Sequence, residues 1–158
     1  METTALEFNH LEEVLNRYGE TIATKYQTYA PQATGHLAQN TSFEVQCSNG
    51  TYQVILDLPH YWKYVENGRK AGKMPPVERI LEWVRAKPVI PRETNGKLPT
   101  EKQLAFLIAR SIGENGTEGQ HCLERAQEET DQMLIESVKQ AFLEDIGEEI
   151  DKVLMLLY

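Results

Sequence analysis

The chain has 158 residues, of which 41% are hydrophobic and 25% are charged, and its formal net charge at pH 7 is -8. These values suit one folded domain and exclude a wholly disordered chain or a coiled-coil composition. No apolar run reaches the roughly 20 residues that span a bilayer. The N-terminal sequence is acidic, whereas a secretion signal begins with a basic region followed by an apolar one. We therefore expect a cytoplasmic, non-secreted protein. Two cysteines, Cys47 and Cys122, are too few for a disulfide framework, and we expect both to be free and partly buried.

The charge is divided unevenly along the chain. Residues 1–62 carry 2 basic and 7 acidic side chains, residues 63–110 carry 11 and 5, and residues 111–158 carry 3 and 12. Such zoning bears on association rather than on fold. It favours contacts between the basic segment of one molecule and an acidic surface of another.

A long amphipathic helix is predicted near the start of the sequence. Thr4 followed by Glu7 fits a capping box, and apolar residues then recur at spacings of three and four as far as Tyr29. This periodicity predicts a helix from about residue 4 to residue 28. Pro31 must end it, because an interior proline lacks the backbone donor and clashes with the preceding turn.

A β-hairpin is predicted next. Apolar and polar residues alternate on both sides of Asn49-Gly50, a pair that tolerates positive φ. The alternating apolar residues are Phe43, Val45 and Cys47, then Tyr52, Val54 and Leu56. The aromatic residues after His60 favour a third strand or an extended segment, followed by a flexible basic loop over residues 68–73.

Two shorter helices follow, separated by an irregular arm. Pro75 and Pro76 can open the first, because the first helical position needs no backbone donor, and its stripe is Val77, Ile80, Leu81 and Val84. The arm spans about residues 87–99 and contains three prolines, a length that usually signals a functional loop. Thr100 with Gln103 repeats the capping box and opens the second helix. Its expected apolar side consists of Leu104, Leu107, Ile108 and Ile112, and Gly113, Gly116 and Gly119 are expected to close it.

The last predicted element is a helix from about Leu123 to Leu157. A helix of this length is roughly 50 Å long, which exceeds the diameter of a globule of this size, so it either breaks near Gly147 or projects to meet other molecules. Its expected apolar stripe consists of Ala126, Leu134, Val138, Phe142, Ile146, Ile150 and Val153. The expected fold class is α+β in one domain over residues 1–158: a long N-terminal helix, a small antiparallel sheet built on a hairpin, two short helices and a long C-terminal helix.

No residue pattern indicates catalysis, a cofactor or a metal ion. The segment GRKAGK over residues 68–73 has three residues rather than four between its glycines, and Met74 follows its lysine, so it does not fit a Walker A loop. The four histidines lie in separate segments without partners at ligand spacing. Paired acids such as Glu128-Glu129 lie opposite the predicted apolar stripe, which is typical of solvated surface.

Aromatic and basic residues occur together in the middle of the chain. They are Tyr61, Trp62 and Tyr64, with Arg69, Lys70 and Lys73. Such a cluster is similar to the stacking surfaces with phosphate contacts that bind single-stranded nucleic acid. We favour packing or a subunit interface instead, because alternation on a strand would bury at least one of the rings.

Three segments carry a family resemblance. They are APQATGHL (30–37) before the hairpin, YWKYVENGRKAGKMPPVERILEWVRAKPVIPR (61–92) after it, and LPTEKQLAFLIARSIGENGTEG (98–119). Over roughly residues 28–119 the chain resembles the neck and tail-completion proteins of tailed bacteriophages, which join the head to the tail. The positions that match are Ala30, Pro31, Thr34, Gly35 and Leu37, then Tyr61, Tyr64, Val65, Glu66 and Gly68, then Pro75 and Pro76. The chain departs from the family pattern in its basic extension from Arg69 to Lys73 and in its arm.

The resemblance implies a structural virion protein without catalysis or a cofactor, present in the host bacterial cytoplasm during assembly. It implies a homo-oligomeric ring, commonly of six or twelve copies, that contacts portal, adaptor or tail proteins but no membrane. Viral DNA would pass through the lumen without specific recognition. The candidate interface residues are Tyr61, Trp62, Glu66, Arg69, Lys70, Lys73, Val89, Ile90, Glu128, Glu129 and Asp131.

Two other functions stay open. A small nucleic-acid-binding regulatory protein would use the basic segment 63–110 and would lose affinity steeply as salt increases. A stand-alone enzyme would need convergent polar residues, and none stand out in the sequence.

Overall fold

The computed structural model describes residues 8–32, 35–87, 89, 91 and 98–157. The elements are α1 (Asn9–Tyr29), α2 (His36–Gln39), β1 (Ser42–Ser48), β2 (Thr51–Asp57), α3 (Trp62–Asn67), α4 (Val77–Ala86), α5 (Glu101–Asn115) and α6 (Cys122–Leu157). The predicted α+β class is confirmed. Within the described ranges, no helix has both the length and the apolar character that crossing a bilayer requires.

The chain forms two compact units, each built from separate stretches of sequence. Unit 1 comprises Met1–Thr28, Thr41–Asp57 and Glu124–Tyr158, and unit 2 comprises Tyr29–Asn40 and Leu58–Leu123. Unit 1 therefore contains the hairpin and most of the two long helices. Unit 2 contains the shorter helices and the basic loop. That the whole chain acts as one domain stays a prediction.

The hairpin of unit 1 has the predicted register. Ser48 pairs with Thr51, which leaves Asn49 and Gly50 as a two-residue turn with φ values of 52° and 74°. Two positive φ angles define the turn type whose twist matches that of the flanking strands. The expectation that Cys47 is partly buried was wrong: it is exposed, one residue pair from the turn.

Helix α1 packs against the hairpin and against α6. A Cβ atom at Gly19 would overlap the Phe43 ring, so this glycine lets β1 approach the helix closely. The Lys25 ammonium lies 2.6 Å from a Glu129 carboxylate oxygen, and the Phe8 and Phe142 rings stack with centroids 5.5 Å apart. Residues early in α1 therefore lie beside residues late in α6, and the two helices run antiparallel. The predicted helix start and the Thr4–Glu7 capping box lie outside the described residues.

Helix α6 is continuous, so the break considered near Gly147 does not occur. At 1.5 Å per residue its 36 residues extend about 54 Å. The predicted apolar stripe was partly wrong, because Phe142, Ile150 and Val153 are exposed. The buried residues of α6 are instead mostly small, namely Cys122, Ala126, Thr130, Ala141 and Asp145. Small side chains allow the backbones of packed helices to come close together.

In unit 2, the predicted third strand is a helix. The Trp62 N–H donates to the Pro59 carbonyl at 2.8 Å, and the Tyr64 N–H donates to the Tyr61 carbonyl at 3.0 Å, which starts α3. Tyr61, Tyr64 and Val65 recur at spacings of three and four, which is the helical period rather than the strand period. The strand was predicted because aromatic residues favour strands, although the spacing of these residues indicates a helix.

Helices α4 and α5 pack together. Pro76 precedes α4 as predicted, and Thr100 with Gln103 forms the predicted capping box at the start of α5, with bonds of 3.3 Å and 2.9 Å. The predicted apolar side of α5 was partly wrong: Leu107 is 53% exposed, whereas Ala105 and Ala109 are buried. Most of the predicted arm, including Pro88, Ile90 and 92–97, lies outside the described residues.

Candidate functional site

The segments that carry the family resemblance meet at one cleft in unit 2. The cleft has a volume of about 300 Å³. Its lining residues are Pro31, Leu37, Tyr61, Tyr64, Val65, Trp83, Thr117, Glu118 and Gln120. They come from all three segments named above and from the residue that follows the third. Among the candidate interface residues that the structure describes, only Tyr61 lines the cleft.

Backbone hydrogen bonds join the middle segment to the third. Arg69 and Thr117 exchange two N–H to carbonyl bonds of 2.9 Å, and the Gln120 N–H donates to the Val65 carbonyl at 2.8 Å. A Cβ atom at Gly68 would overlap the Thr117 carbonyl, and one at Gly119 would overlap a carbonyl of α3. Gly68 also has a φ of 73°, which disfavours other residues. The motif glycine is therefore required by the close approach of two backbones.

Glu66 was expected at a subunit interface, but its side chain is buried. Its carboxylate accepts a hydrogen bond of 2.8 Å from the Leu123 N–H in the first turn of α6, and its carbonyl accepts one from the His121 N–H. A carboxylate at a helix N-terminus satisfies backbone donors and is stabilised by the positive end of the helix dipole. Glu66 thus has a role inside unit 2, and its burial removes it from the candidate surface.

Tyr61 forms part of the wall of the cleft. Its hydroxyl lies 3.1 Å from the Nδ1 atom of His36, at the start of α2, and its ring meets the His60 ring edge to face. Burial raises the pKa of the Tyr61 hydroxyl above its ordinary value, so the group stays protonated at neutral pH. Trp62 is half-buried and lies outside the cleft lining.

The basic extension begins with a cation stacked on an aromatic ring. The Arg69 guanidinium lies 4.8 Å from the centroid of the Tyr64 ring, and the Gly72 N–H donates to the Gly113 carbonyl at 2.8 Å. Lys70 and Lys73 are exposed on either side of that bond. The extension is therefore tied to unit 2 at two points and presents its lysines to solvent.

The acidic interface candidates lie on α6 in unit 1. Glu129 binds Lys25, and Asp131 accepts a hydrogen bond of 2.9 Å from the Tyr18 hydroxyl, while Glu128 is exposed. Burial and the Asp131 carboxylate raise the pKa of Tyr18 to about 12. Two of the three acids therefore already have partners within their own unit. Of the arm candidates, Val89 is half-buried, and Ile90 lies outside the described residues.

Asp145, on α6, is buried. One carboxylate oxygen accepts from the His10 N–H at 2.9 Å and contacts His10 Nδ1 at 2.8 Å, and the other accepts from the Leu11 N–H at 2.9 Å. The Asp145 bond raises the pKa of His10, and Glu148 adds to the effect. Burial alone would raise the pKa of Asp145, but the two backbone donors and His10 outweigh it and lower that pKa. Asp145 therefore caps α1.

Four residues of the cleft were not singled out from the sequence: Trp83, Thr117, Glu118 and Gln120. Trp83 lies beside the predicted apolar stripe of α4, and the other three lie in the glycine-rich stretch that was expected to close the next helix. The one feature of the sequence that could have identified these residues is their position in or beside the resembling segments. Comparisons with protein-family models, with curated proteins and with solved structures found no match.

Proposed function

We propose that this protein is a ring-forming structural subunit at the neck or tail-completion site of a tailed bacteriophage. The observation that carries the proposal is the meeting of the resembling segments at one cleft. Short similarities that arise by chance have no reason to come together in space. Here the residues run from Pro31 to Gln120 along the chain and still line a single feature of unit 2.

The local roles of the motif residues also support the proposal. Gly68 allows two backbones to approach, Glu66 caps α6, and Tyr61 packs beside the start of α2. These contacts give the family pattern a structural meaning in this chain, because each residue fixes one segment against another. The pattern is therefore a folded unit on which an assembly surface can be built.

Exposed apolar side chains favour assembly with other protein chains. On α6 the exposed large hydrophobic residues are Met133, Ile135, Phe142, Leu143, Ile150, Val153, Leu154, Met155, Leu156 and Leu157. Large exposed apolar patches mark interaction sites on soluble proteins, and so many exposed apolar side chains on one helix favour such a site. A homo-oligomeric ring of six or twelve copies, in contact with portal, adaptor or tail proteins, would cover it. Viral DNA would pass through the lumen without specific recognition.

The nucleic-acid-binding alternative has weaker support. Lys70 and Lys73 are exposed, as phosphate contacts require, but Arg69 already covers one face of the Tyr64 ring. Glu118 adds an acidic side chain to the cleft, which opposes the approach of phosphate groups. The connector is therefore the better proposal, and the absence of catalysis belongs to it as a further expectation.

Electron microscopy and native mass spectrometry of the purified chain test the proposal. We expect closed rings whose mass is a multiple of 18.1 kDa, with six or twelve copies. Microscopy of phage particles, with an antibody against the chain, should then label the head-to-tail junction. Specific binding of an oligonucleotide that weakens steeply with salt, together with unlabelled particles, would favour the regulatory protein instead.

A further inference from the structure

Four Asn-Gly pairs occur in the sequence, at residues 49–50, 67–68, 95–96 and 115–116. The pair at 95–96 lies outside the described residues. In such a pair the glycine nitrogen can attack the side-chain amide carbon of the asparagine, because glycine has no side chain to obstruct the approach. The nitrogen reaches that carbon only if the backbone of the asparagine rotates about ψ, which moves the glycine. A pair therefore reacts in a folded protein only where the glycine has space and the asparagine side chain is free.

The pair at residues 67–68 is held by a neighbouring backbone segment. Asn67 is the last residue of α3, and Gly68 follows it with a φ of 73°. A Cβ atom at Gly68 would overlap the Thr117 carbonyl oxygen, so this glycine has no space to move. The two bonds of 2.9 Å between Arg69 and Thr117 keep the segments together. Reaction at this pair would require the two segments to separate.

The pair at residues 115–116 is held by hydrogen bonds as well. The Asn115 side-chain nitrogen donates to the Ser111 carbonyl at 3.1 Å, which restrains the amide. The Gly116 N–H, which would be the attacking group, donates to the Ile112 carbonyl at 2.8 Å. A Cβ atom at Gly116 would also overlap the Arg69 carbonyl oxygen. Reaction at this pair would require the last turn of α5 to open.

The pair at residues 49–50 has neither restraint. It forms the two-residue turn of the hairpin, and residues 48–51 are all exposed. A Cβ atom at Gly50 would meet nothing within 4 Å, and the Asn49 side chain makes no hydrogen bond within the described part of the chain. The bond that closes such a turn joins the flanking residues, Ser48 and Thr51, so it does not use the Gly50 N–H. These two residues end the ladder, where local opening costs least.

We infer that Asn49 is a site of spontaneous deamidation in the folded protein, whereas Asn67 and Asn115 are protected. The Gly50 nitrogen forms a bond to the Asn49 Cγ atom, and the amide nitrogen leaves as ammonia with the proton of the Gly50 nitrogen. Water then opens the resulting succinimide ring. Cleavage of the new bond gives aspartate, whereas cleavage of the original peptide bond gives isoaspartate, whose main chain runs through the side chain. This modification does not depend on the proposed ring.

The two products should affect the hairpin differently. Each adds one negative charge at the turn. Aspartate keeps the backbone unchanged, and Asp-Gly is a favoured pair in this type of turn. Isoaspartate adds one main-chain atom between Ser48 and Thr51, so the turn no longer fits the register of the strands. The tip of the hairpin therefore acquires a change that accumulates with time after synthesis.

Peptide mapping of aged protein tests the inference. Trypsin releases the four pairs in separate peptides, namely 26–63, 64–69, 93–97 and 111–125. The purified chain is incubated in mildly alkaline buffer, either folded or unfolded in guanidinium chloride, and the peptides are analysed by mass spectrometry. In the folded chain we expect peptide 26–63 to convert roughly tenfold or more faster than 64–69 and 111–125, because those pairs must first open packed structure. In the unfolded chain all four should convert at similar rates.

Fragment ions identify the modified residue, since peptide 26–63 also contains Asn40. Two results would overturn the inference. The first is equal conversion of peptides 26–63 and 111–125 in the folded chain. The second is an Asn49 that stays intact in the folded chain while the unfolded chain converts.

Asn49→Asp is the matched control for the effect on the hairpin, because it carries the new charge without the extra main-chain atom. We expect Asn49→Asp to keep a denaturant midpoint close to that of fresh wild type. Aged wild type should contain a fraction with a lower midpoint, in proportion to its isoaspartate content. An isoaspartate-containing fraction with an unchanged midpoint would contradict the loss of register.

Discussion

Asp145 shows how one buried carboxylate can join the two ends of unit 1. It lies 135 residues from His10 in the sequence, yet it caps α1 through the His10 and Leu11 N–H groups. The His10 ring, flanked by Glu144 and Glu148, adds a charged partner. Such a carboxylate supplies two hydrogen-bond acceptors and a charge at the positive end of the helix dipole.

The titration of this pair predicts how stability depends on pH. The pKa of Asp145 is lowered from 3.8, so its contribution is present above about pH 3.8 and is lost as the pH falls through the lower folded-state pKa. The pKa of His10 is raised from 6.5, so its contribution is complete below about pH 6.5 and is lost as the pH rises through the higher folded-state pKa. Both contributions are present between these limits.

Asp145→Asn should destabilise the fold by roughly 1 to 3 kcal/mol near pH 5.5, because the amide removes the charge and offers only one acceptor to three donors. Urea unfolding from pH 3 to pH 8 should also show a flatter pH profile in the variant. Asp151→Asn, on an exposed position of the same helix, is the control and should behave as wild type. Equal stabilities of the two variants would mean that Asp145 does not cap α1.

The hairpin turn gives a second prediction for a single residue. Gly50 has a φ of 74°, and a Cβ atom there would meet nothing within 4 Å, so any cost of substitution comes from the backbone alone. Gly50→Val should lower the free energy of unfolding by about 1 kcal/mol or more, because a β-branched residue resists positive φ. Gly50→Asn should cost less, since asparagine tolerates this region. Denaturant unfolding of both variants would detect the difference, and equal costs would contradict the backbone explanation.

At the level of elements, the start of α6 depends on a residue from another helix. Glu66→Ala should leave the Leu123 N–H without its acceptor and cost about 1 to 2 kcal/mol. Compared with the wild type, the variant should show faster hydrogen exchange in the first turn of α6, whereas exchange in α5 should be unchanged. Glu118→Ala, at an exposed position of the same unit, is the matched control. Unchanged exchange in Glu66→Ala would show that other contacts start the helix.

The elements that the sequence predicted correctly carry their own local signals. The capping box at Thr100 and Gln103 and the two-residue turn at Asn49 and Gly50 are set by neighbours within three residues. Helix α3 was missed because aromatic composition was weighed above its helical spacing. The burial of Asp145 and the exposure of Ile150 could not be predicted, since both depend on where α1 lies along α6, which no local pattern records.

In the candidate site, too, the sequence identifies residues but does not record their contacts with distant parts of the chain. The resembling segments contain the residues around Tyr61 and Gly68, but the sequence does not record the way in which these residues meet other segments. Glu66, one of the positions that match the family pattern, was expected at a subunit interface. Only the contact with Leu123, 57 residues later, shows that it caps a helix.

For the whole molecule, the uneven charge distribution predicts how copies would recognise each other in the proposed ring. Several charges are already engaged within a unit, such as Arg85 with Glu101 at 2.9 Å, and exposed pairs of this kind contribute only about 0 to 1 kcal/mol. Lys70 and Lys73 remain exposed. These lysines should therefore steer the approach of an acidic neighbour, while apolar contacts supply most of the affinity.

Replacing Lys70 and Lys73 together by glutamate should slow ring assembly at low salt, and the defect should shrink as the salt concentration rises. Light scattering after dilution into assembly conditions would measure the rate. Lys102→Glu, at an exposed position on α5, is the control. Partial rescue by Glu128→Lys would identify the α6 surface as the partner, whereas an unchanged rate at low salt would show that these lysines do not steer assembly.

The division of the chain into separate stretches has a consequence for the order of folding during synthesis. Unit 2 is made from residues that have all been translated by Leu123, whereas unit 1 needs both α1 and the last stretch of α6. The side of α1 that faces α6, with Tyr18 and Lys25, must therefore wait for Asp131 and Glu129, which are translated 113 and 104 residues later. The nascent chain passes through a stage in which its first helix offers an uncovered face to chaperones or to other nascent copies.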